Sequence, residues 1–220
     1  MDQKAPAAAD KVEPTRRDVL RVASGVAGAA AVVGAVGAAA YVVPWHDDAA
    51  PSTTLPAAGT VDVDLSPLQA GQQVMVFWRS WPVFVVRRSA QALAALRDPD
   101  LLGQLADPVS DELQQPPYAK NPERSIKPEF AVLVGICTHM GCTPTFYPQP
   151  HASDPVPDWP GGYLCPCHGS RYDLAGRVFK DVPALYNLPV PPYRFVGDKT
   201  IRIGENPPNA KFDFNAILQI

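Results

Sequence analysis

All four cysteines of this 220-residue chain fall within two hexapeptides, Cys137–Cys142 (CTHMGC) and Cys165–Ser170 (CPCHGS), and each hexapeptide also carries a histidine. Cys137 and His139 form C-x-H; Cys165 and His168 form C-x-x-H. Two thiolates and two imidazoles make a metal-ligating set. Zinc accepts Cys2His2, but usually from a C-x-x-C pair and a separate H-x-x-x-H pair. Here each box mixes one cysteine with one histidine.

Such boxes need rigid elements to hold them. Phe130–Ile136 is apolar throughout and reads as a buried strand delivering the first box. Val61–Leu65 alternates with period two, and Gln73–Trp78 and Val83–Arg88 flank a hairpin turn at Arg79–Pro82. Ala90–Leu105 has helical spacing, with Pro99 limiting it to short pieces. Residues 107–128 read as a polar loop and Arg177–Phe179 as a short strand. Tyr193–Val196 and Thr200–Ile203 flank a tight turn at Gly197-Asp198-Lys199. The expected class is mainly β, an antiparallel sandwich or barrel-like arrangement of short strands and hairpins over residues 61–220. The 26 prolines concentrate in loops, which they stiffen. The net charge of -3 gives no electrostatic reason to expect a nucleic-acid partner.

The first segment predicts a membrane anchor. Val22–Val43 is uncharged and, at about 1.5 Å per residue, spans roughly 33 Å, close to a bilayer's hydrocarbon thickness. We take residues 22–44 as one transmembrane helix. Lys4, Lys11, Arg16, Arg17 and Arg21 precede or open it, and the next cation is Arg79. The positive-inside rule therefore puts residues 1–21 in the cytoplasm and the head outside the inner membrane. TRRDVL at Thr15–Leu20 resembles a twin-arginine export signal, and Ala38–Ala40 offers a small-residue cleavage site. Residues 45–60 are small, polar and proline-containing, a flexible hinge.

The mixed boxes resemble a Rieske 2Fe–2S centre, in which one iron takes two cysteines and the other two histidines. CTHMGC with CPCHGSRYD, TRRDVL ahead of an anchor, and the neck segment from Pro51 to Arg88 are together similar to the Rieske iron–sulfur subunit of cytochrome bc complexes, of the alpha-proteobacterial type. Two departures stand out: Met140 where leucine is common, and VPAL at Val182–Leu185 where a GPAP-like loop is usual. The resemblance implies an antiparallel β-sandwich head over residues 61–220 with a small cluster-binding subdomain at about 135–190, and Cys137, His139, Cys165 and His168 as ligands of one 2Fe–2S cluster. Cys142 and Cys167, each close to a ligand, would then pair, as a head outside the cytoplasm permits. It implies that Ser170 donates to a bridging sulfide and Tyr172 to the sulfur of Cys137. His168 would meet ubiquinol, while Met140, Gly141 and Pro183 would form an apolar tip docking at cytochrome b.

An imidazole on ferric iron gives up its outer N–H proton more readily, and reduction reverses this, so electron and proton uptake are linked. The implied activity is quinol–cytochrome c reduction, a proton-translocating oxidoreductase of which this chain is an incomplete part. Its implied partners are a cytochrome b subunit, a membrane-anchored cytochrome c subunit, ubiquinol and the bilayer, in a dimeric complex. A Rieske subunit of another exported oxidoreductase, such as arsenite oxidase, is the nearest alternative. A ring-hydroxylating oxygenase needs a second iron site with two histidines and a carboxylate, and only His46 and His151 remain.

Overall fold

The computed structural model describes residues 59–148 and 159–219. The expected export signal, anchor and most of the hinge, with His46, lie outside these residues, as does His151. No helix among the described residues is long and apolar enough to cross a membrane.

Nine short strands form three antiparallel sheets of three strands each. The middle sheet is the foundation. It consists of β2 (Gln73–Trp78), β3 (Trp81–Arg87) and β4 (Phe130–Val134), with β3 in the centre. Val83–Val86 and all of β4 are buried on both faces. A strand reads as an unbroken β-branched and aromatic run only when both faces are covered. Here they are. On one face Phe84 stacks on Tyr163 at 5.5 Å. Phe130, on the other, packs against Phe195 at 6.0 Å. Tyr163 lies in the sheet of β5 (Thr145–Tyr147), β6 (Gly162–Leu164) and β7 (Arg171–Tyr172). Phe195 lies in that of β1 (Val61–Asp64), β9 (Thr200–Ile203) and β8 (Tyr193–Phe195).

Two short helices follow β3. Helix α1 (Ala90–Ala95) is capped by Ser89, whose hydroxyl accepts from the Ala92 N–H. Helix α2 (Pro99–Gln104) is capped by Asp98, with Pro99 at its first turn where a missing N–H costs nothing.

Several expectations are corrected. The β2–β3 turn is shorter than expected: Phe77 pairs with Pro82 and Trp78 with Trp81, leaving only Arg79 and Ser80 at φ 51° and 66°. Both central residues of such a two-residue hairpin turn need positive φ. Arg177–Phe179 is not a strand; it forms the isolated bridges Tyr172–Val178 and Leu105–Phe179. The 107–128 segment is irregular, yet Ser110, Gln114, Gln115, Glu123, Arg124 and Ser125 are buried in it.

β4 is followed at once by Gly135, and space dictates that residue. A Cβ there would sit 2.3 to 2.7 Å from ring carbons of Phe84. The ring is already stacked and fully packed. Gly135→Ala is expected to cost about 1–3 kcal/mol through overpacking, lowering the melting temperature of the purified protein by roughly 2–4 °C per kcal/mol. A melting temperature equal to wild type would show that the Phe84 ring can yield.

Candidate functional site

The two boxes fold into loops with the same backbone pattern. In the first, the Cys137 N–H donates to the Cys142 carbonyl at 2.8 Å and the Gly141 N–H to the Cys137 carbonyl at 3.0 Å. In the second, the Cys165 N–H donates to the Ser170 carbonyl at 2.8 Å and the Gly169 N–H to the Cys165 carbonyl at 3.0 Å. Gly141 and Gly169 occupy the same place, with φ of 82° and 75°. That conformation is why a glycine sits four residues after the first cysteine of each box. β4 leads into one loop, and β6 and β7 flank the other.

Cys142 and Cys167 form a disulfide between the loops. Cys137 and Cys165 remain free thiols, 1 % and 2 % exposed. The Cys165 sulfur lies within 4.8 Å of both disulfide sulfurs, but these are already bonded to each other and offer no thiolate. Burial pushes the Cys165 thiol above its usual pKa; the N–H groups of Cys167 and His168 work against this, and the neighbouring Cys137 sulfur adds to it. His139 is half-buried and His168 exposed, and their rings meet edge to face at 4.8 Å between centroids. The candidate ligands thus comprise two inner sulfurs and two outer imidazoles.

Donors surround the sulfurs. The Tyr172 hydroxyl lies 3.3 Å from the Cys137 sulfur. It accepts the Thr138 N–H at 3.1 Å, while the Thr138 hydroxyl is committed to the Tyr186 carbonyl at 2.6 Å. The Tyr172 proton is therefore left to the sulfur or to Thr138 Oγ1, 3.2 Å away. Burial first, then the contact with Cys137, raises the Tyr172 phenol far above its usual pKa, so it stays a donor. Ser170 is fully buried, and its oxygen accepts the Ala184 N–H at 3.0 Å. Among the described residues its own proton meets no acceptor, so a buried donor stands available beside the cysteine loops.

At the surface, Met140 is 71 % exposed, and Gly141 and Pro183 are exposed as well. Leu185, 69 % exposed, adds to this apolar rim. Sequence reading noted it only as a missing proline in VPAL. Thr138 went unnoticed too, because a threonine beside a cysteine has no distinguishing spacing.

Residues 118–192, which include both loops, match the family model described as Rieske [2Fe-2S] domain. The chain is 50% identical over 202 residues to the ubiquinol-cytochrome c reductase iron-sulfur subunit of Allochromatium vinosum, covering 91% of this chain and 94% of that one. It is 42% identical over 199 residues to the subunit so named in Blastochloris viridis, covering 90% and 97%. For Bradyrhizobium diazoefficiens the figures are 40% over 192 residues, covering 87% and 95%.

Proposed function

Because this chain belongs to the family of ubiquinol-cytochrome c reductase iron-sulfur subunits, we propose that Cys137, His139, Cys165 and His168 hold its Rieske 2Fe–2S cluster. The observation that carries the assignment is the pairing of two free buried thiols with two outward imidazoles on loops tied by one disulfide. The donor set fits the group, which requires two thiolates and two imidazoles. Once bound, the cluster supplies a one-electron acceptor.

This chain's own residues do the rest. The thiols of Cys137 and Cys165 sit inside, away from water, while the exposed His168 presents its outer ring nitrogen to a hydroquinone. That nitrogen accepts the hydroxyl hydrogen bond from quinol and takes the proton as the electron leaves. Tyr172 donates to the Cys137 sulfur and the buried Ser170 hydroxyl has its proton free for a bridging sulfide, both of which favour the more negative reduced state and raise the potential. Met140, Gly141, Pro183 and Leu185 form an apolar rim that docks in a cytochrome b pocket and excludes water there. Residues 22–44 anchor the chain, residues 1–21 stay in the cytoplasm, and residues 45–60 let the head carry its electron to a c-type haem in a dimeric complex. The sequence similarity over about nine-tenths of the chain favours this complex over any other exported oxidoreductase.

Two measurements test the reading. A tagged chain drawn from mild-detergent extracts of its native membranes is expected to bring b- and c-type haem and quinol–cytochrome c reductase activity. Haem-free material with an intact cluster would contradict the partner assignment. Ser170→Ala is expected to keep the Rieske spectrum while lowering the midpoint potential and slowing quinol oxidation several-fold. An unchanged midpoint in that variant would remove Ser170 from the role.

A further inference from the structure

Three guanidinium groups lie in the interior, and quinol oxidation as set out above uses none of them. Arg124 and Arg177 are 0% exposed and Arg88 is 3%. Of the three, only Arg177 hydrogen-bonds a buried carboxylate: its Nε donates to Asp173 Oδ2 at 2.7 Å. Arg124 donates to neutral oxygens alone, the carbonyls of Ala175 at 3.1 Å, Gly176 at 3.3 Å and Gln114 at 3.3 Å, and Gln115 Oε1 at 2.9 Å. Arg88 donates to the carbonyls of Glu123 and Phe130 and to Ser125 Oγ, and its Nε has no partner. The Glu123 carboxylate is engaged from the surface by Arg97 at 2.7 Å. Burial lowers the guanidinium pKa to about 10 for Arg88 and about 9 for Arg124, so both remain charged at neutral pH.

The interior thus holds an excess of cations. Burying a charge without a partner is costly, and neutral side chains could satisfy most of these carbonyls. Arg124 grips the turn Asp173–Arg177, which leaves β7 directly after Tyr172, whose hydroxyl touches the Cys137 sulfur. Tyr163, two residues before Cys165, pairs in register with Tyr172.

We propose that Arg124 is an interior counter-charge of the cluster, a positioning residue that raises its midpoint potential through space. The proposal rests on the ligand assignment above. Reduction adds one negative charge to the cluster, and a fixed cation in the interior stabilises that state. Arg124 is fully buried, and Coulomb energy in the interior falls only as the inverse of distance.

Changing the charge at one position gives the test, read as the midpoint potential of the holoprotein by redox titration followed by circular dichroism or EPR. Arg124→Met is expected to lower the midpoint and Arg124→Lys to hold it near wild type, at low and high salt alike. An Arg124→Met protein with a normal Rieske spectrum and an unchanged midpoint would overturn the proposal. So would equal drops in Arg124→Met and Arg124→Lys, the mark of a packing effect. Should Arg124→Met fail to fold, an Arg124→Gln protein with an unchanged midpoint would still overturn it. Failure of the ligand assignment is distinct: the unsubstituted protein would then show no Rieske spectrum to titrate.

Discussion

Exchange of His168 for glutamine is expected to abolish the Rieske signal and to cut quinol–cytochrome c reductase turnover by more than about a hundredfold, since loss of even an outer partner of a metal ligand costs about 10–100-fold. The argument is one of supply. The proposed site has two free thiols and two imidazoles, one donor for each position. The remaining nearby sulfurs, those of Cys142 and Cys167, are consumed by their bond and cannot replace a lost nitrogen. The His168 side chain is exposed, so its exchange leaves the core intact. The variant should therefore be folded by far-ultraviolet circular dichroism yet free of iron. Metal analysis and EPR on the same sample check this. A His168→Gln protein with wild-type signal and turnover would remove the residue from the ligand set.

Opening the disulfide is expected to produce the second large effect. Cys142 and Cys167 are separated by 25 residues. Closing a loop of that length removes chain entropy from the unfolded state worth about 3.5 kcal/mol. The Cys142→Ser, Cys167→Ser double variant should melt roughly 7–14 °C lower than wild type at about 2–4 °C per kcal/mol. The bridge is also the covalent tie between the two loops, beside the Cys165 sulfur. Its removal should hasten bleaching of the cluster by a chelator. Calorimetry and the visible bleaching rate measure the two consequences separately. Unchanged melting and unchanged bleaching would show that hydrogen bonds alone set the loops.

The chemistry was legible in the sequence because few residue types can do it. Four cysteines in two short boxes, each with a histidine, constrain the reading severely. β4 was legible for a related reason: an unbroken apolar run must be covered on both sides. What was not legible has physical causes. β5, β6 and β7 are two or three residues long, shorter than any periodicity can register. Gln114, Gln115 and Arg124 were assigned to a polar loop. Polarity alone does not separate a solvated loop from an irregular interior segment whose carbonyls need buried donors. Gln114 shows the difference, since its side-chain amide donates to the carbonyls of both Asn187 and Gln219. The apolar rim was half legible. The resemblance singles out Met140 and Pro183, which are exposed, but Leu185 is exposed by the course of its loop, which the letters VPAL do not reveal.

The most direct test of the central claim is pulsed EPR of the reduced protein purified from cells fed nitrogen-15 histidine. Mixed ligation predicts a 2Fe–2S signal coupled to two imidazole nitrogens, with both couplings changing to the pattern of the heavier isotope. A protein without iron, or an iron–sulfur signal that ignores the label, would contradict it.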